Sequence, residues 1–285
     1  MSERISRRFI GLCAGAALAA GAAMPAPAQL VPHRAVYDIS LDRADESGTI
    51  ASFQGRMVIE VIASDCDGIA TNSRYVFQSG SAEGSTLLTD LRTAQWEAMD
   101  ASSFRFLTRR YDDAKLTEET DGNAERTGAG VQIAIKSPAE GRVRFGDDVM
   151  FPTQHLNRLI ELARANKHTL SARLYEGADP GTQIYDTFAV IGSAKHDEQG
   201  LSVSGAEKLK GLAKWPVTIS YFPGEGSDPK ERENAGGEEV PVYAISSTLY
   251  ENGVSRDILL DYGEFSLRGK LSTLSFPEKN DCAKE

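Results

Sequence analysis

HRAVYDISL, residues 33–41, alternates: Ala35, Tyr37, Ile39 and Leu41 fall on one side, and Arg34, Asp38 and Ser40 on the other. Successive side chains of a pleated strand point to opposite faces, so a period of two marks a strand with one face buried. RMVIEVI, residues 56–62, repeats the pattern through Met57, Ile59 and Val61. Outward from these two, similar stretches recur at short spacing. They are RYVFQS (74–79), STLLTDLRTAQWEA (85–98), FRFLTRRY (104–111), KLTEET (115–120), GVQIAIK (130–136), RVRFG (142–146), TLSARLY (169–175), IYDTFAVIG (184–192), LSVSGAEK (201–208), WPVTISYF (215–222), VPVYAISSTLY (240–250) and SRDILLDYGEFSLRGKLSTLSF (255–276). Gly, Asp, Asn and Ser clusters separate most of them, and YENGVS around Asn252-Gly253 reads as a hairpin turn. About a dozen short strands in one chain predict an all-β domain, a barrel or a large curled antiparallel sheet, since a twisted sheet of that size must curl or split. Curling creates a concave face.

One segment departs from the period. FPTQHLNRLIELARANKH, residues 151–168, sets Leu156, Leu159, Ile160 and Ala163 at helical spacing. Pro152 and Thr153 supply a start signal, and Arg164, Lys167 and His168 suit the C-terminal end of the dipole. A single amphipathic α-helix in a β chain is expected to plug or cap the open sheet. PGEGSDPKERENAGGEE, residues 223–239, lacks apolar residues and reads as a long exposed hairpin loop.

The first 28 residues carry Arg4, Arg7 and Arg8 ahead of a small-residue apolar run and an Ala26-Pro27-Ala28 site. That is the pattern of a secretory signal peptide cleaved before Gln29, too short and Ala/Gly-rich for a comfortable membrane span. SRRFIG half-matches a twin-arginine signal, so the export route stays open. The expected mature chain, 29–285, is a single exported domain with no later membrane span. Removal of Glu3 and the three arginines moves the formal net charge from −10 to −12. A field of that sign disfavours nucleic acid and anionic membrane surfaces as partners.

Cys13 leaves with the signal, so Cys66 and Cys282 are the two remaining thiols. Export favours a structural Cys66–Cys282 disulfide over two free thiols, and the acidic neighbours Asp65, Asp67 and Asp281 argue against a reactive thiolate. A bridge spanning nearly the whole mature chain implies that its first and last parts lie together.

Catalytic motifs are not in evidence. The four histidines, His33, His155, His168 and His196, show no metal-ligand spacing, and there is no G-x-S-x-G elbow or phosphate-binding glycine loop. No cofactor or metal is therefore expected. His155, in the first turn of the helix, is the candidate general base for an unrecognised hydrolase, set against a plain bond to a nearby strand. Trp96, Trp215, Tyr221 and Phe222, with His155, are candidate groove-lining residues, set against a core role.

HRAVYDISL after the signal, DCDG before SRYVFQ, FPTQH opening the helix and a terminal DC together resemble the cell-envelope integrity EipB family of alphaproteobacterial periplasmic proteins. The resemblance covers essentially all of the mature chain. It implies a β-spiral, a broken oval antiparallel barrel with one helix and a disulfide that falls on Cys66 and Cys282. It further implies a shape similar to the lipoprotein carriers LolA and LolB, and a non-enzymatic role in envelope integrity. The expected partner is a periplasmic protein, or alternatively an amphiphilic lipid-like ligand held in the concave face.

Overall fold

The computed structural model describes residues 30–46, 48–64, 68–177, 180–196, 202–227 and 240–277. The expected signal segment, Cys66, Cys282 and residues 228–239 of the glycine-rich loop lie outside the described residues.

Among the described residues, fifteen strands form one sheet. They are β1 (His33–Ala44), β2 (Ile50–Ser64), β3 (Gly68–Ser81), β4 (Thr86–Glu97), β5 (Ser103–Asp112), β6 (Lys115–Thr127), β7 (Gly130–Ser137), β8 (Gly141–Phe145), β9 (Val149–Met150), β10 (Thr169–Leu174), β11 (Tyr185–Ile191), β12 (Lys214–Pro223), β13 (Tyr243–Tyr250), β14 (Ser255–Asp261) and β15 (Phe265–Ser275), with helix α1 (Pro152–Arg164) between β9 and β10. The order across the sheet is β8-β7-β6-β5-β4-β3-β2-β1-β15-β14-β13-β12-β11-β10-β9. Two antiparallel meanders thus meet where β1 pairs with β15, from Arg34 opposite Ser275 to Ala44 opposite Phe265. Backbone hydrogen bonds join the early and late parts of the chain along that line. The one parallel pair is β9 with β10, and α1 makes the crossover between them.

Register carries the alternation of residues 33–41 across the molecule. Tyr37 faces Met57, Met57 faces Tyr75, and Tyr75 faces Leu91. On the far side Ile245 faces Ile219, which faces Ala189. Because side chains opposite each other share a face, one continuous inner surface runs round the roll. The sheet rolls until its edges, β8 and β9, approach each other without a shared ladder. What joins them is aromatic packing: Phe104 of β5 stacks at 5.6 Å on Phe106 and 5.2 Å on Phe151, and meets Tyr175 edge-on at 6.2 Å. Arg126 of β6 reinforces the seam, donating to the backbone carbonyls of Ala101, Asp147 and Val149 at 3.2, 2.6 and 2.8 Å. The fold is a nearly closed, all-β broken barrel.

Helix α1 lies inside the roll. Leu159, Ile160 and Ala163 pack in one cluster with Val61, Ala63 and Ile69 from one wall and Ala189, Ile191, Trp215 and Val217 from the other. The helix therefore fills one end of the barrel and ties its halves together. Its start is fixed by Glu97, a buried carboxylate at the end of β4 that accepts the backbone N–H of Thr153 at 2.7 Å and of Gln154 at 2.9 Å. These are first-turn amides with no partner within the helix.

Two local expectations change. LSVSGAEK is no strand where it is described: Ala206–Leu209 form a 3₁₀ turn, entered through Gly205 at φ +84°. The Leu274 carbonyl occupies the space a Cβ at Gly205 would need, so the chain bends there against β15. Residues 255–276 are not one strand but β14 and β15, split by a turn around Gly263 at φ +81°.

Candidate functional site

At the end of the barrel away from α1 the inner surface is not filled. β2 shows the division within one strand: Val61 and Ala63 pack under the helix, whereas Ile50 and Phe53 face a cavity of about 710 Å³. β12 divides in the same way, with Trp215 and Val217 in the helix cluster and Tyr221 on the cavity wall. Tyr75 and Phe77 of β3 and Leu91 of β4 line it on one side. Tyr243 and Ile245 of β13, Leu260 of β14 and Leu267 of β15 line it on the other. Tyr75, Phe77, Leu91 and Ile245 are half-buried although they point inward. In the filled seam, by contrast, Phe104 and Tyr175 are 1% and 0% exposed.

The wall is apolar and aromatic over the larger part of its area, and the β3–β6 side also carries polar groups, among them Ser73, Thr93, Gln95, Thr108, Arg110 and Glu118. Glu176 follows β10, in a loop that crosses the interior: its backbone carbonyl accepts from Gln95 Nε2 of β4 at 2.9 Å, and its carboxylate accepts from the Tyr243 hydroxyl at 3.3 Å. Gly177, next in the chain, sits at φ +68° with the Phe106 ring where a Cβ would project, so the loop passes this point on a glycine backbone. Burial pushes the Glu176 carboxyl up to about 6, against the pull of the Tyr243 hydrogen bond. Burial also raises the hydroxyls of Tyr75, Tyr221 and Tyr243, which stay neutral donors.

Tyr221 and Tyr243 stack at 4.3 Å with an 18° interplanar angle, and Tyr262 lies 6.0 Å from Tyr243. At the wall, Arg110 pairs with Asp112 at 3.1 Å and Glu118 at 3.4 Å, while Arg56, whose parity turns it outward, pairs with Asp38 at 2.9 Å on the outer face. Both arginines are thus committed to carboxylates. Among the described residues no cation pairs with Glu176. No group of three or more His, Cys, Asp or Glu among them is arranged to hold a metal ion.

The five residues singled out from the sequence separate. Tyr221 lines the cavity. Trp215 points inward but is 3% exposed in the helix cluster, a core position. His155 sits on the buried side of α1, its Nε2 3.4 Å from Thr187 Oγ1. The Thr187 hydroxyl proton is directed to the Ala172 carbonyl at 3.0 Å, so Nε2–H is the donor to Thr187. Trp96 and Phe222 occupy the opposite parity of β4 and β12 and face outward, with the Arg105 guanidinium 5.0 Å over the Trp96 ring. Tyr75, Glu176, Tyr243 and Tyr262, which the sequence did not single out, also line the cavity.

His155 supplies a pH test. Burial lowers its pKa from 6.5 to about 4. As pH falls, the unfolded chain takes up this proton first, so the contribution of neutral His155 is present above 6.5 and lost down to 4. Glu97, pushed up to about 7 by burial against its helix amides, gives the opposite slope between 4.5 and 7. The informative quantity is therefore the difference between wild type and His155→Gln. Urea unfolding at pH 7.5 and 4.5 is expected to show a loss about 2–3 kcal/mol larger for wild type. Equal losses would contradict a buried neutral histidine.

A family model described as EipB-like matches residues 24–278. A relative from Brucella abortus (strain 2308), named cell envelope integrity protein EipB, is 34% identical over 293 residues, covering 97% of this chain and 100% of the relative. A crystal structure of a beta-barrel-like protein of a domain of unknown function, also from Brucella abortus, matches at 33% identity with a TM-score of 0.79, covering 88% of this chain and 100% of that one.

Proposed function

The chain belongs to the EipB-like family, and from that premise we propose that it is a non-enzymatic periplasmic protein that maintains the cell envelope by holding an amphiphile in its interior. The relative's name supports the envelope role. An exported compartment suits the N-terminal segment and the two cysteines that follow it, and a Cys66–Cys282 bridge is part of the same proposal. No described helix is long and apolar enough to cross a membrane.

The observation that carries binding is the cavity. Its volume of about 710 Å³ lies within the roughly 300–1,000 Å³ of small-molecule pockets, which are typically mostly apolar with a few placed polar groups. Inner-face Leu, Ile, Phe and Tyr side chains left half-buried cost hydrophobic stabilisation, about 25 cal/mol per Å² still in water. An apolar chain lying against them recovers it.

Titration with the neutral fluorophore N-phenyl-1-naphthylamine tests this. Saturable enhancement is expected, reduced at least about ten-fold in affinity when Leu91→Trp and Ile245→Trp fill the space from opposite walls. No saturable binding, or undiminished binding in the filled variant, would overturn the cavity reading and direct the search to a periplasmic protein partner.

A further inference from the structure

The cavity has a charge preference as well as a shape. An amphiphile buries its tail on the apolar wall and must place its head among the polar groups, and the sign of their uncompensated charge selects the head. Arg110, the arginine whose side chain faces inward on the wall, already has carboxylate partners in Asp112 and Glu118, and Arg56 pairs with Asp38 on the outer face. An anionic head would meet no uncommitted cation there and would lie near a carboxylate. Glu176 is the opposite case. It is half-buried, the one hydrogen-bond partner of its carboxylate among the described residues is the Tyr243 hydroxyl, and it has no ion-pair partner among them.

The rings around it strengthen the case. Tyr75, Tyr221, Tyr243 and Tyr262 line the same cavity as Glu176, with Tyr221 and Tyr243 stacked at 4.3 Å and Tyr262 beside them. The π-face of a tyrosine is negative, and several such faces beside one carboxylate attract an organic cation more than an inorganic one. A methylated ammonium can shed its weakly held water and lie against the outside of the stacked Tyr221–Tyr243 pair. Tyr262 is 41% exposed, which puts this cluster within reach of solvent.

Building on the cavity reading above, we propose that the interior takes an amphiphile with a cationic amine or quaternary-ammonium head, seated against the Glu176 carboxylate and the tyrosine faces of Tyr75, Tyr221, Tyr243 and Tyr262. The tail lies along Phe53, Phe77, Leu91, Ile245 and Leu267. The head neutralises a carboxylate that the fold itself leaves without a counter-ion.

Displacement of N-phenyl-1-naphthylamine at pH 7.5 tests the head, with every amphiphile kept below its micellar concentration. The probes share one chain length: dodecyltrimethylammonium, neutral dodecyldimethylamine oxide and anionic dodecyl sulfate, with tetramethylammonium as the head alone. The expected order is trimethylammonium tightest, about ten-fold ahead of the amine oxide, with the sulfate weakest. Tetramethylammonium is expected to displace only weakly, because the tail supplies most of the affinity. Glu176→Gln should bring the cation and the amine oxide to within about two-fold of each other. Tyr262→Leu, at a more exposed position, should narrow the same gap and serves if Glu176→Gln does not fold. If the amine oxide displaces the fluorophore and the cation has no advantage, or keeps it in both variants, the charge proposal falls and the cavity reading stands. Displacement by tetramethylammonium as strong as by its dodecyl form would overturn the amphiphile in favour of a free amine. A fluorophore that never binds removes both readings together.

Discussion

Phe104→Ala is expected to lower the unfolding free energy by about 3–5 kcal/mol, the range for truncating a buried aromatic residue. Phe104 is 1% exposed and touches Phe106 two residues on in β5, Phe151 before α1 and Tyr175 after β10. Edges β8 and β9 share no hydrogen-bonded ladder, so these ring contacts carry the closure of the barrel. Urea denaturation gives the magnitude, and hydrogen exchange localises it: amides of residues 149–151 and 175 should lose protection before those of the β1–β15 junction. A cost below about 1 kcal/mol, or uniform loss of protection, would show that the seam does not hold the barrel closed.

Glu97→Ala ranks next, with an expected cost of about 2–4 kcal/mol. The carboxylate accepts two first-turn amides of α1, and removing it leaves the N–H groups of Thr153 and Gln154 buried without acceptors, at about 1–3 kcal/mol each. Glu97→Gln keeps one acceptor oxygen and should lose about half as much. Thermal unfolding reads both, at roughly 2–4 °C per kcal/mol for a domain of this size. Equal shifts for Ala and Gln would mean that the side chain acts by filling space and not by capping the helix.

Most of the fold was legible because a single physical signal repeats. Alternation at residues 33–41 and 56–62 placed Ala35, Tyr37, Met57 and Ile59 on one face, and the register of β1 with β2 keeps them there. The helix was legible for the complementary reason, and its expected span of 151–168 is trimmed to Pro152–Arg164. What failed was locally ambiguous: LSVSGAEK alternates for a few residues, yet Gly205 takes a left-handed backbone and the segment turns. β9, two residues long and held by a parallel pairing, has no periodic signal at all.

The site was legible only in part. Tyr221 and Phe222 are consecutive in a strand and so cannot share a face; parity alone assigns one inward and one outward. Counting along β3 from Met57's partner likewise turns Tyr75 and Phe77 inward. Parity does not separate Trp215, under the helix, from Tyr221, over empty space, because that difference depends on how far α1 reaches into the barrel. Glu176 has no sequence signal: it lies in a loop, and its neighbours come from β4 and β13.

Native mass spectrometry of protein isolated from the envelope compartment without detergent tests the cavity most directly. The expected spectrum shows the chain with one adduct of lipid-like mass, absent from the Leu91→Trp, Ile245→Trp variant isolated in the same way. Bare protein in both preparations, or the same adduct retained in the filled variant, would contradict an interior that holds an amphiphile.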